Sequence, residues 1–156
     1  MMLPNEALAT TYAQLARAPA SQLERLLAEL GLQELAAGAV RRRARMMLPL
    51  RDPVAEAPFY LGEVLVSEAV VRRDGHEGYM LRMGDCMASA SAGAAILLAF
   101  EADPAARPVV AEALAEMTAA RMAAEATERA AVRATRVRFE GGDVEAYATG
   151  DFTTDR

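Results

Sequence analysis

The sequence predicts an α+β domain with N-terminal helices, an antiparallel sheet built on a β-hairpin, two further helices and a short C-terminal strand. Three observations carry this. Leu23, Leu26, Leu27 and Leu30 recur at helical spacing behind Pro19. Residues 59–73 are rich in β-branched and aromatic side chains and run into Asp74-Gly75, the dipeptide that two-residue hairpins prefer. Two alanine-rich runs follow, separated by Asp103-Pro104. A chain of 156 residues fits a single domain over 1–156, with 1–18 and 142–156 peripheral.

Residues 5–18 suit a first helix, with Leu8, Tyr12, Leu15 and Ala16 near one face and Pro19 ending it. Ser21-Gln22-Leu23-Glu24 reads as a capping box, in which Ser21 accepts from the Glu24 amide and Glu24 reaches back. Gly31 stands where a left-handed stop is wanted. Arg41-Arg42-Arg43-Ala44-Arg45 is either a phosphate-binding patch or a solvated stretch that pairs with acidic groups on a partner. Met46–Leu50 suits a short strand, and Asp52-Pro53 and Pro58 mark a loop or an edge. Residues 59–73 form the main strand, with apolar residues on both parities, so it is covered on both faces at least in part. Residues 73–78 turn, and Tyr79–Met83 return. Gly84-Asp85 breaks into a helix to about Ala102, with Asp85 as N-cap. Its small residues, Ala88 to Ala95, permit close approach of the sheet or of a partner chain. Pro108 opens a last helix to about Ala134, with a weak apolar face of Leu114, Met117, Met122 and Val132 and an i,i+4 pair of Glu125 with Arg129. Residues 135–140 alternate as a final strand.

Composition excludes several functions. Seventeen basic groups against 22 acidic ones give a net charge of −5, which argues against a general nucleic-acid or anionic-membrane binder. Alanine fills 36 positions and lysine none, a pattern of genome composition. Larger apolar residues still make about 30% of the chain, enough for a core. One cysteine, Cys86, rules out an internal disulfide and a multi-cysteine zinc site, and one histidine, His76, rules out a His-rich metal centre. No apolar run is long enough for a bilayer, and residues 1–10 show no secretory signal, so the expected location is cytoplasmic.

The search for chemistry is mostly negative. There is no phosphate loop, no G-x-S-x-G elbow and no H-E-x-x-H. The turn at Gly84-Asp85 offers helix-start amides to an anion, but the Asp85 carboxylate occupies the same place. Cys86 and His76 are one conceivable nucleophile–base pair, yet a strand of about five residues, at ~3.3 Å per residue, holds them at its two ends. Glu63, Glu68 and Asp85 read as surface charges or partner contacts. Met80, Met83 and Met87 read as core or interface fillers.

Three stretches together resemble a known family. They are Pro58-Phe59-Tyr60-Leu61-Gly62-Glu63-Val64-Leu65-Val66; Gly78-Tyr79 followed by Gly84-Asp85 and an alanine-rich helix; and Ala134-Thr135-Arg136-Val137-Arg138-Phe139. In this order they resemble PhnG, the small subunit of the bacterial carbon–phosphorus lyase core complex, over roughly residues 20–140. The chain departs from that pattern where residues 51–57 lack a glycine-rich turn, where Met83-Gly84-Asp85-Cys86 lacks an arginine, where Ala88-Ser89-Ala90 lacks a histidine and where Phe139 leads into Glu140-Gly141-Gly142. No role tied to the missing arginine or histidine is carried over.

The resemblance implies a part in phosphonate catabolism. Such a subunit assembles with sister subunits H, I and J into a two-fold symmetric complex, a homo- or hetero-oligomer. With an associated ATP-binding subunit, the complex supports displacement of adenine from ATP by a phosphonate. The product is α-D-ribose 1-methylphosphonate 5-triphosphate, and a later radical step on subunit J cleaves the carbon–phosphorus bond. The nucleosidase chemistry belongs to subunit I. This chain is then expected to hold no active site and no cofactor of its own, ATP being a substrate of the whole complex. Candidate interface residues lie on the hairpin 59–83 (Phe59, Leu61, Gly62, Glu63, Gly78, Tyr79), at Gly84 and Asp85, on the small-residue helix (Leu97) and at Arg136. Leu97→Asp is expected to abolish assembly or folding. Two other readings stand beside this one: a stand-alone homodimeric interaction domain unrelated to phosphonates, and a small enzyme using Asp85, Cys86 or His76.

Overall fold

The computed structural model describes residues 4–52 and 54–135. The chain separates into two compact units, residues 1–121 and 122–156. Its elements, in order, are α1 (Pro4–Arg17), α2 (Ala20–Glu29), α3 (Gln33–Ala37), β1 (Val40–Arg51), β2 (Pro58–Arg73), β3 (His76–Met83), α4 (Met87–Ala102) and α5 (Ala106–Ala134). The α+β class is therefore as expected. The proposed final strand and Arg136 lie outside the described residues.

Helix α2 forms where the leucine spacing puts it, but the capping box does not. Pro19 is the N-cap, and its carbonyl accepts from the amides of Gln22 and Leu23, both at 3.1 Å. Ser21 therefore lies inside the first turn, past the position from which a side chain caps. The C-terminal stop at Gly31 is a Schellman motif. The Gly31 amide donates to the Ala28 carbonyl at 3.1 Å and the Leu32 amide to the Leu27 carbonyl at 3.0 Å.

The sheet is antiparallel in the order β1-β2-β3. Arg73 faces His76 across a two-residue turn, and Asp74 and Gly75 both have positive φ, +52° and +80°. That is the twist-matched hairpin turn, which aspartate and glycine adopt with least strain. Strand β1 is longer than the sequence suggests, because the arginine run 41–45 is itself strand. Its pairing with β2 sets Arg42 opposite Glu68 and Ala44 opposite Val66. Near the far end, Leu48 faces Gly62 and Pro49 faces Tyr60, so Leu61 is an extra, bulged residue. Gly62 there has φ +152°, in the region that favours glycine.

Helix α4 is the centre of the first unit. Every residue from Ser89 to Ala99 is buried. Apolar all round, it packs against β1, β2, β3, α1, α2 and α3. Its small residues thus serve close approach of the sheet, the first of the two alternatives the sequence allowed, rather than of a partner chain. Leu97 is likewise in the core. Gly78 on β3 sits so close to α4 that a Cβ there would lie 2.1 Å from the Ala94 carbonyl oxygen. Asp85 is not the N-cap of α4. Cys86 holds that position without a side-chain cap. The turn is tied instead by Ser67, buried on β2, whose hydroxyl donates to the Gly84 carbonyl at 2.8 Å and accepts from the Cys86 amide at 2.9 Å.

Helix α1 closes the β3 side of the sheet. The Leu81 amide donates to the Tyr12 hydroxyl at 3.1 Å, and Arg82 donates to the Leu15 and Ala18 carbonyls at 2.6 and 2.7 Å. A cation on the last carbonyls of a helix also meets the negative end of its dipole. Helix α5 starts two residues before Pro108. Val110 and Leu114 are buried and Met117 packs on the core. In the second unit Met122 and Val132 are exposed, so the expected apolar face does not continue there. The Arg129–Glu125 pair is present at 3.1 Å.

Candidate functional site

The alternation of β2 and β3 divides the sheet into two faces. Ser67, Ala69 and Val71, with Gly78 and Met80, are buried toward α4. The opposite face carries Val66, Glu68 and Val70 of β2 beside Tyr79, Leu81 and Met83 of β3. Val66 is buried yet stands apart from the main core cluster, as its parity requires.

Strand β3 ends at Met83, opposite Val66. Beyond that point, past the bond from the Gly84 amide to the Leu65 carbonyl, no third strand pairs with β1 or β2 among the described residues, and residues 45–51 and 58–65 form a two-stranded arm. Met46, Met47, Leu50, Phe59, Tyr60 and Leu61 on this arm are each at least 40% exposed. An isolated two-stranded ribbon is marginal in water, and six large apolar side chains in one place are more than a surface scatters singly. The loop at its tip is held by Asp52, whose carboxylate accepts from the amides of Val54 at 2.7 Å and Ala55 at 2.9 Å. Those donors lower the Asp52 pKa below its ordinary value.

The acidic candidates meet the arginines of β1. Arg42 pairs with Glu68, Arg43 with Asp85 at 2.9 Å, and Arg45 with Glu63 at 3.5 Å. Hydrogen bonding to Glu68, then its charge, raises the Arg42 pKa. Burial, then the Glu68 charge, pushes the Tyr79 phenol above its ordinary value. Glu63, Glu68 and Asp85 thus each pair with an arginine of this chain, Glu63 and Asp85 as exposed surface charges. Three of the four guanidiniums of residues 41–45 therefore face a carboxylate of this chain.

The structure does not bring His76 and Cys86 together. His76 opens β3 beside the hairpin turn, and Cys86 follows its other end. Among the described residues no three His, Cys, Asp or Glu side chains gather to hold a metal ion. A groove of about 500 Å³ between α2 and the start of α5 is lined by Gln22, Arg25, Glu29, Glu116 and Met117, charges of both signs around an apolar floor. Among the described residues no helix is long and apolar enough to cross a membrane.

Of the sequence-derived interface candidates, Phe59, Leu61, Gly62 and Glu63 lie on the arm. Tyr79 lies on the open sheet face, and Gly84 and Asp85 form the β3–α4 turn. Gly78 and Leu97 are core. Tyr12, Ser67 and Arg82, which organise this region, were not singled out. A lone serine on the buried parity of an apolar strand was the one signal available for Ser67. Contacts 64 to 69 residues apart in sequence leave none for Tyr12 and Arg82.

A search of curated proteins gives no match. The family model described as phosphonate metabolism protein PhnG matches residues 9–141. That span takes in most of α1, the whole sheet with its arm, and α2 to α5. On that match the chain belongs to the PhnG family.

Proposed function

We propose that this chain is a non-catalytic assembly subunit of a cytoplasmic carbon–phosphorus lyase complex. In it, the chain supports displacement of adenine from ATP by a phosphonate to give α-D-ribose 1-methylphosphonate 5-triphosphate. Its partners are the sister subunits H, I and J. The observation that carries the reading is the arm: a two-stranded ribbon with large apolar side chains exposed past the end of β3, in a chain that belongs to a phosphonate-metabolism family. Such a surface is stable and soluble when another protein covers it. The carboxylates that acid–base chemistry needs are held in ion pairs with β1, which also favours a supporting role.

The test is co-expression with subunits H, I and J, with solution mass from light scattering and adenine release from ATP in the presence of methylphosphonate. The expected result is a co-eluting complex whose adenine release falls when this chain is omitted. A chain that stays apart from all three partners overturns the subunit role. Adenine release by the isolated chain overturns the non-catalytic assignment.

A further inference from the structure

We propose that the outer edge of β1 over residues 41–47 receives an extended, carboxylate-bearing strand of a partner subunit, which adds a fourth strand to the sheet. The proposal rests on the subunit role above.

The two edges of the sheet differ. On the β3 side the Leu81 amide is taken by Tyr12, and Arg82 ties the strand to α1. On the β1 side no strand pairs with it among the described residues. The direction of its backbone groups follows from the ladder. The Leu65 carbonyl accepts from the Gly84 amide just past β3, so odd-numbered residues of β2 turn their backbone groups toward β3 and even-numbered ones toward β1. Register sets Arg42 opposite Glu68, Ala44 opposite Val66 and Met46 opposite Val64. The amides and carbonyls of Arg41, Arg43, Arg45 and Met47 therefore point outward, where no strand meets them among the described residues. Pro49 falls on the same outward parity, where its missing N–H costs the sheet nothing and ends the row of donors.

Charge selects the occupant. Strand β1 carries arginine at 41, 42, 43, 45 and 51 and no acidic residue. Arg42, Arg43 and Arg45 remain 74%, 61% and 76% exposed although each touches one carboxylate. A guanidinium has five N–H donors in a fork, so a carboxylate on one flank leaves donors for another. Opposite charges across neighbouring strands stabilise and like charges destabilise. A second copy fits badly, because antiparallel self-pairing centred on Arg42, Arg43 or Ala44 sets arginine against arginine. An acidic strand fits, with main-chain bonds for affinity and the arginines for choice of partner. Arginine, proline and the bulge also protect the edge from indiscriminate pairing.

The experiment is residue-resolved amide exchange on the full chain, free and in the complex co-purified with subunits H, I and J, with Arg45→Pro and Arg45→Gln as variants. In the free chain the amides of Arg41, Arg43, Arg45 and Met47 exchange fast while those of Arg42, Ala44 and Met46 are protected. In the complex the odd-numbered set becomes protected too. Arg45→Pro removes an outward donor and weakens binding by about tenfold or more, whereas Arg45→Gln keeps the amide and loses less. Protection of the even-numbered amides in Arg45→Pro shows that the variant folds, and the wild-type exchange pattern stands without it. A complex in which the odd-numbered amides still exchange fast overturns the edge site and leaves the subunit role intact. Absence of any complex overturns both. Protection already present in the free chain overturns the partner strand in favour of this chain's own residues 136–156, or of a second copy if it rises with concentration.

Discussion

Replacing Gly78 by alanine tests how tightly β3 is seated on α4. The added Cβ would lie 2.1 Å from the Ala94 carbonyl oxygen, 2.8 Å from the Leu98 Cβ and 3.0 Å from a Val71 methyl. An unstrained contact needs upward of ~3.5 Å, so the strand and helix must part by about 1.4 Å or more. Neither has room to give, since the obstacle is backbone and α4 is buried on every side. Overpacking ordinarily costs ~1–3 kcal/mol, and this site belongs at or above the top of that range, about 3 kcal/mol. At ~2–4 °C per kcal/mol for a chain of this size, the melting temperature should fall by about 10 °C. Gly93→Ala is the control. Its Cβ meets only the flexible end of Met80, at 3.1 Å from Cε and Cγ, while helix propensity gains up to ~1 kcal/mol. It should stay within about 1 kcal/mol of wild type. Urea unfolding followed by circular dichroism reads both. A Gly78→Ala midpoint equal to wild type, or equal losses in the two variants, refutes the reasoning.

Three further outcomes follow from local geometry. Arg82→Met removes two charge-assisted bonds to the α1 carbonyls but also an unpaired buried Nε, so it should cost about 2 kcal/mol in urea unfolding; no loss would show that α1 docks without it. The Tyr79 phenol has a raised pKa, so its contribution to stability is complete below the unfolded value near 10 and is lost as pH rises through the folded one. Phenolate absorbance should therefore show a late step that Tyr79→Phe removes; an unchanged titration counts against it. Asp52 has a lowered pKa, so its hold on the loop is complete above the unfolded value and is lost as pH falls through the folded one. Carbon NMR of its carboxyl should give a midpoint below 3.8, and a midpoint at or above that value would discard the turn.

What could be read from the sequence was what local chemistry dictates. The Asp74-Gly75 turn, the leucine spacing of α2 and the Gly31 stop are decided within a few residues, and each stands where expected. The misreadings share a cause in distant partners. Strand β1 begins in an arginine run with little strand propensity, and pairing with β2 makes it a strand. The Ser21 box lost to Pro19, which starts the helix two residues before the position a serine cap would need. Small residues announced close approach in α4, but not that six other elements of the chain do the approaching. The candidate site was legible as a stretch, 58–66, and not as a surface, because exposure there depends on where β3 stops.

The residues that carry the family resemblance divide by what the fold asks of them. Gly78 is required by the approach of α4, Gly84 by the turn that Ser67 ties, and Asp85 holds Arg43. Phe59, Tyr60 and Leu61 pack against no core residue among the described residues. They lie past the end of β3, are 43%, 67% and 64% exposed, and belong to no part of the core. On the proposed assembly role, side chains of that size on a two-stranded ribbon are covered by a partner subunit. Phe59→Ser with Leu61→Ser should therefore separate folding from assembly. The unfolding midpoint should move by no more than about 0.5 kcal/mol, the range of surface substitutions. Binding to the co-expressed subunits should weaken by about tenfold or more, since an aromatic anchor in a covered interface contributes at least that much. If the double variant assembles normally, the arm is not the contact. If it unfolds, the arm is part of this chain's own stability, and its exposed residues need a different account.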